Sequence, residues 1–173
     1  MASTDSLTSL WNRRAFLIQF RMQVELMARH ARPMSILIVD VDNFKPYNDE
    51  FGHLAGDEVL QRVASILNET ARRSDYVARL GGEEFGIILP ETDNDGSVLL
   101  GERFRVAVER VDWPLRAITA SIGVTTVRFP KKVPRPELPS HSKVMAEADR
   151  ALYQSKARGR NQVCHAGVIA AVG

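Results

Sequence analysis

Cysteine is almost missing. Cys164 is the only one in 173 residues, so no internal disulfide can form and a reducing, cytoplasmic setting is expected. Long apolar runs are missing too. The longest, such as Ile36–Val39 and Val168–Val172, fall far short of a membrane span, and none resembles a signal peptide. Neither sign of charge dominates: 23 Lys and Arg face 21 Asp and Glu. That balance argues against non-specific coating of nucleic acid and leaves room only for a local basic patch. Neither a G-x-G-x-x-G nor a G-x-x-x-x-G-K-[ST] pattern occurs, which excludes the common dinucleotide and P-loop sites. No internal repeat or low-complexity segment is present. What remains is an ordinary globular composition, 45% hydrophobic and 25% charged, in a length that suits one domain.

The apolar spacing sets out the elements. Phe16, Phe20, Val24 and Met27 recur at helical steps between Asn12 and Arg32, and Pro33 ends that helix. Ser35–Val39 is a continuous β-branched-rich run, which predicts a strand buried on both faces. Val59, Leu60, Val63, Ile66 and Leu67 predict a helix from about Gly56 to Thr70. Tyr76–Leu80 and Phe85–Leu89 flank Gly81-Gly82, the pattern of a β-hairpin. Leu100, Phe104, Ala107 and Val111 mark a further helix, and Thr119–Val127 a strand. Phe129–Ser142, with four prolines, reads as a loop. Val144, Ala148 and Leu152 define a last helix with Gly159 as its C-terminal cap, and Asn161–His165 suits a short strand. A hairpin inside an alternating pattern predicts an α+β fold: a central mixed, largely antiparallel sheet wrapped by helices. The expected domain covers 5–165, with 166–173 as a C-terminal tail.

Four acidic residues stand where the chemistry is expected. Asp40 and Asp42 lie where a buried strand emerges, and a carboxylate there must be solvated, paired or metal-bound. Glu83 and Glu84 follow the glycines of the hairpin turn. With the hairpin beside Ile36–Val39, Asp40 and Glu83 converge on one rim of the sheet. Hard oxygen ligands of this kind suit Mg²⁺, and two such ions serve phosphoryl transfer. Solvated loop charges are the alternative that spacing alone leaves open.

Five ordered motifs resemble those of one family. Gly81-Gly82-Glu83-Glu84-Phe85 resembles the signature of the GGDEF family, the diguanylate cyclases, in a GGEEF form. Asp5 to Arg14 resembles the opening D-x-L-T-x-L-x-N-R-R, with Ser9 where the family usually has Gly. Asp40 to Asp49, followed by Phe51-Gly52-His53 and Gly56-Asp57, resembles the segment D-x-D-x-F-K-x-x-N-D…G-H…G-D. Ala120–Val124, and Ala148–Lys156 with Gly159-Arg160-Asn161, resemble the closing segments.

The resemblance implies condensation of two GTP into the bacterial second messenger cyclic di-GMP, on a fold like the palm of nucleotide cyclases and some polymerases. It assigns Asp40, the Val41 carbonyl and Glu83 to metal ions, two Mg²⁺ (or Mn²⁺) per GTP site. Glu84 becomes a candidate to help deprotonate the ribose 3′-hydroxyl, or a further metal contact. Asn48 and Asp57 bind guanine, whose N1–H and N2 amino donors adenine lacks; for Asp57 a helix N-cap is the competing role. Asn43 and Phe44 lend backbone N–H groups to phosphates, Lys45, Lys156 and Arg160 add positive charge, and Gly81 and Gly82 let a nucleotide approach the backbone. Asn12, Arg13 and Arg14 fall in a structural hinge.

Arg72-x-x-Asp75, six residues ahead of Gly81, resembles the family's inhibitory product site, with Arg103 as a secondary contact; a basic helix terminus with a capping acid is the alternative. The resemblance further implies a homodimer in which each protomer brings one GTP, with no nucleic acid or membrane contact. An upstream sensory segment is expected to be absent from this chain. Two other functions remain open: a catalytically silent receptor for GTP or cyclic di-GMP, and a regulatory partner acting by protein contact.

Overall fold

A computed structural model describes residues 2–131 and 136–172. Residues 132–135 of the expected proline-rich loop lie outside the described residues. Among the described residues six strands form one sheet in the order β1-β3-β4-β2-β5-β6. In chain order they are β1 (Trp11–Asn12), β2 (Met34–Val41), β3 (Tyr76–Gly81), β4 (Glu84–Pro90), β5 (Ala120–Arg128) and β6 (Val163–Ala170). The inner pairs β3–β4, β4–β2 and β2–β5 are antiparallel, while the outer pairs β1–β3 and β5–β6 are parallel. The sheet is therefore mixed and largely antiparallel, as the sequence predicts.

All eight residues of β2 are buried, because helices cover both faces of the sheet. The helices are α1 (Arg13–His30), α2 (Phe44–Phe51), α3 (His53–Thr70), α4 (Asn94–Glu109) and α5 (His141–Ala157). Strand alternation divides β2 between two cores. Leu37, Val39 and Val41 pack with Tyr47, Val63, Leu67 and Phe104 from α2, α3 and α4. Ile36 packs with Phe16, Phe20 and Val24 of α1 and Val144 of α5, and Ile38 packs with Ala148 and Leu152 of α5. The α5 backbone lies so close to β5 that a Cβ on Gly123 would stand 2.2 Å from the Ala148 carbonyl oxygen. That contact fixes where α5 and its C-terminal lysine sit.

The boundaries differ from the sequence expectation in two places. β6 runs through Ala170, pairing Val168, Ile169 and Ala170 with β5. The segment expected as a tail from 166 is thus strand for most of its length; its weak alternation around Gly167 hid it. The helix expected from Gly56 begins at His53, so its first turn precedes the apolar stripe. Ser9 sits at φ 60°, the left-handed region where glycine is favoured, so the departure from the family's glycine carries a backbone cost.

Candidate active site

The ends of β2 and β4 and the hairpin tip make one rim. Antiparallel register sets Asp40 opposite Glu84, and the Val41 N–H donates to the Glu83 carbonyl at 3.2 Å. Two glycines carry the turn: Gly81 at φ 144° and Gly82 at φ 52°, with open space where each Cβ would stand. Arg79 braces the hairpin, donating to the Gly82 carbonyl at 2.8 and 3.0 Å and to Asp5 at 3.2 Å. Asp5 also accepts from the Thr8 N–H and hydroxyl. The opening motif is thereby tied to the signature turn, a contact between residues 74 positions apart that local spacing does not reveal.

Asp40 and Asp42, alike in sequence, have different surroundings. Asp42 accepts from the hydroxyls of Thr119 at 2.8 Å and Ser121 at 2.6 Å and from the Asn161 N–H at 3.0 Å. It is a satisfied structural anchor. Asp40 is buried and faces the Lys156 ammonium at 3.1 Å. Burial pushes its carboxyl up to about 6, against the pull of Lys156, and Glu83 and Glu84 raise it further. Burial also raises Glu84, reinforced by Asp149 and Glu83 and opposed by Lys156 and Arg13. Asp149 is raised by burial as well, with Arg13 and Lys156 opposing. Asp40, Glu83, Glu84 and Asp149 thus act on one another at this rim, with Lys156 and Arg13 opposing the rise of their carboxyls. Arg13 and Asp149 join this cluster unforeseen by the sequence reading; Asp149 lies seven residues before Lys156 on α5, a spacing that sets both on one helix face.

Among the described residues no three His, Cys, Asp or Glu side chains form a ready metal cage. The donor set at the rim is two carboxylates, Asp40 and Glu83, with the Val41 carbonyl. These are hard oxygen ligands beside further carboxylates, which fits Mg²⁺ or Mn²⁺ completed by phosphate oxygens.

The residues expected to hold the nucleotide flank this rim. Asn43, at φ 54°, precedes α2. Phe44 and Lys45 open that helix, where backbone N–H groups lack intrahelical acceptors; the Lys45 side chain is exposed. Asn48, on α2, points at α3: a Cβ on Gly56 would stand 1.7 Å from its Oδ1. That Oδ1 is buried and has no hydrogen-bond partner, so it is an acceptor waiting for a donor. Asp57 is exposed in the second turn of α3, whose N-cap is Gly52. The capping alternative for Asp57 is therefore wrong, because the helix starts four residues earlier. Lys156 lies in the last turn of α5, whereas Arg160 lies beyond it in left-handed backbone at φ 65°. The two do not share a helix.

On the opposite end of β4, Arg72 and Arg103 line one 470 Å³ cavity together with Arg32, Glu91 and Thr92. Arg32 was not foreseen. Arg72 donates to Asp75 through Nε at 3.0 Å and Nη2 at 2.8 Å, and to Thr92 Oγ1 at 2.8 Å. The Asp75 side chain is fully buried behind the guanidinium, so it orients Arg72 toward the cavity.

The family model described as "Diguanylate cyclase, GGDEF domain" matches residues 2–162. The chain is 38% identical over 164 residues to diguanylate cyclase DosC of Escherichia coli (strain K12), covering 92% of this chain and 34% of that protein. It is 36% identical over 170 residues to diguanylate cyclase A of Treponema denticola, covering 94% of this chain and 44% of that protein. The chain thus spans between a third and a half of these relatives' length. Among solved structures, the GGDEF domain of DgcB from Caulobacter crescentus, in complex with c-di-GMP, superposes with a TM-score of 0.84 at 35% identity, covering 96% of this chain and 94% of that one. The active GGEEF domain of a diguanylate cyclase from Vibrio cholerae gives 0.80 at 31% identity, covering 89% and 96%. No helix among the described residues is long and apolar enough to cross a membrane.

Proposed function

This chain belongs to the GGDEF family, and from that membership we propose that it is a catalytic diguanylate cyclase domain, joining two GTP into cyclic di-GMP with release of two pyrophosphates. The observation that carries the reading is the rim itself: Asp40 is buried against Lys156, the neighbouring Glu83 and Glu84 raise its carboxyl, and burial and Asp149 raise that of Glu84. Such a rim is costly unless cations and a triphosphate complete it.

Asp40, the Val41 carbonyl and Glu83 would hold two Mg²⁺ or Mn²⁺. When bound, these ions supply charge neutralisation and a lowered pKa for a coordinated hydroxyl. The chain's own residues do the rest. Asn43 and Phe44 present backbone N–H groups to phosphate oxygens. Lys45 and Arg160 add positive charge, and Lys156 exchanges its contact with Asp40 for one with phosphate. The buried Asn48 Oδ1 accepts from guanine, and Asp57 accepts from the N1–H and N2 donors that adenine lacks. Glu84, its carboxyl already raised by burial, would help take the proton of the 3′-hydroxyl or serve as a further metal contact.

One chain carries one such half-site. Joining two nucleotides requires a second copy facing the first, so the active species is a homodimer. Cyclic di-GMP in the Arg72–Arg103 cavity would inhibit by holding two domains apart. The test is incubation with GTP and Mg²⁺ while protein concentration is varied. Formation of cyclic di-GMP with a rate steeper than first order in protein supports the dimeric enzyme. GTP binding without turnover in an assembled dimer would instead mark a silent receptor.

A further inference from the structure

Gly159, Arg160 and Asn161 form a turn with three successive positive φ angles, 113°, 65° and 46°. Two of the three are not glycine, so this backbone persists only where its surroundings over-determine it. Those surroundings are visible. The Arg160 N–H donates to the Ser155 carbonyl at 3.1 Å, and the Arg160 carbonyl accepts from Gln162 Nε2 at 3.1 Å. The next residue is held harder still. The Asn161 N–H donates to Asp42, its Nδ2 donates to Glu109 Oε1 at 2.7 Å, and its Oδ1 accepts from Arg105 Nη1 at 2.8 Å. Arg105 and Glu109 close the triangle at 2.9 Å, and Glu102 braces Arg105 from one turn earlier at 2.9 Å. Asn161 is thus tied to α4 by both ends of its amide. Its backbone is tied to the residue two past Asp40. The arrangement links the C-terminal end of α4 to the turn that carries Arg160.

We infer that Arg105, Glu109 and Asn161 form a clamp that positions Arg160 toward the nucleotide's phosphates, which makes two residues of α4 positioning residues for substrate binding. The inference rests on the reading of Arg160 as a phosphate ligand. An exposed arginine on a relaxed turn would sample many directions and lose its ordering entropy on binding. A turn held in advance reduces that cost. Arg105 suits this task because its planar fork serves Glu109, Glu102 and Asn161 together.

The experiment is a double-mutant cycle on binding of 3′-deoxy-GTP, which cannot react, in the presence of Mg²⁺. Glu109→Ala in the otherwise unchanged protein should raise Kd about tenfold, within the range for residues in one hydrogen-bond network. In the Arg160→Ala background the same substitution should change Kd less than twofold, because the group it positions is gone. Glu109→Gln, whose amide oxygen still accepts from Asn161 Nδ2, should recover most of the affinity. Where Glu109→Ala lowers the thermal midpoint, Asn161→Gly replaces it in the cycle, since glycine keeps the positive φ and deletes the clamp. Equal losses in both backgrounds would overturn the clamp and leave a purely structural network. No effect of Arg160→Ala on its own would overturn the phosphate reading, and the clamp with it. A normal Arg160→Ala loss with an inert Glu109→Ala would overturn the clamp alone.

Discussion

Removing the charge of Asp40 should stabilise the empty protein while ending its activity. The folded carboxyl titrates at about 6, against 3.8 for the free side chain. That difference corresponds to about 3 kcal/mol. The folded state binds the proton more tightly, so this penalty is absent below pH 3.8. It grows as pH rises and is complete above about pH 6. The Lys156 attraction is already contained in the shifted value. Asn at this position resembles the protonated acid in shape, and its Oδ1 can still accept from Lys156. Asp40→Asn should therefore gain up to about 3 kcal/mol at pH 7.5, a rise of about 6–12 °C in Tm for a chain of this size. The gain should shrink by pH 5 and vanish near pH 4. The measurement is thermal unfolding of both proteins across this pH range with EDTA present, alongside cyclic di-GMP formation at pH 7.5 with Mg²⁺. A variant no more stable than wild type at pH 7.5, or a gap that does not close on acidification, would refute the buried-charge argument. Full turnover in the variant would refute the metal-site role.

Glu83→Gln should abolish turnover with little change in Tm, because it deletes a rim charge and leaves the hairpin backbone intact; normal activity would remove Glu83 from the site. Gly56→Ala should gain about 0.5–1 kcal/mol of helix propensity yet weaken binding of 3′-deoxy-GTP, because the new Cβ falls on Asn48 Oδ1; unchanged affinity would exclude Asn48 from the nucleotide site. Ser9→Gly should stabilise by about 1 kcal/mol, the cost of a left-handed non-glycine residue, read by chemical denaturation. Arg72→Ala should weaken cyclic di-GMP binding by about 1.5–3 kcal/mol in a titration; an unchanged inhibition curve would reduce Arg72–Asp75 to a helix end.

The sheet and its helices were legible because their signals are local. The centre of β2 appears as an apolar run, Ile36–Val39, and the α1 stripe falls on a 3.6-residue period. The hairpin was legible because its turn needs glycine at positive φ and the sequence supplies two. β6 was half legible: Gly167, at φ 105°, breaks its alternation, and its pairing with β5 shifts register at that point. Where β6 ends is decided by its neighbour, which no local pattern encodes.

The site shows the same division at the level of single carboxylates. Asp40 and Asp42 have the same chemistry and stand two residues apart, so periodicity treats them alike. What separates them comes from 77 to 119 positions further along the chain: Thr119, Ser121 and the Asn161 N–H converge on Asp42 and satisfy it. Asp40 receives one lysine from α5 and repulsion from the hairpin. A satisfied acid costs the fold little, whereas an under-compensated one is retained at the expense of stability. Reading which acid is which therefore requires the pairing of β2 with β5 and the placement of α5 by Gly123, and both are properties of the assembled sheet.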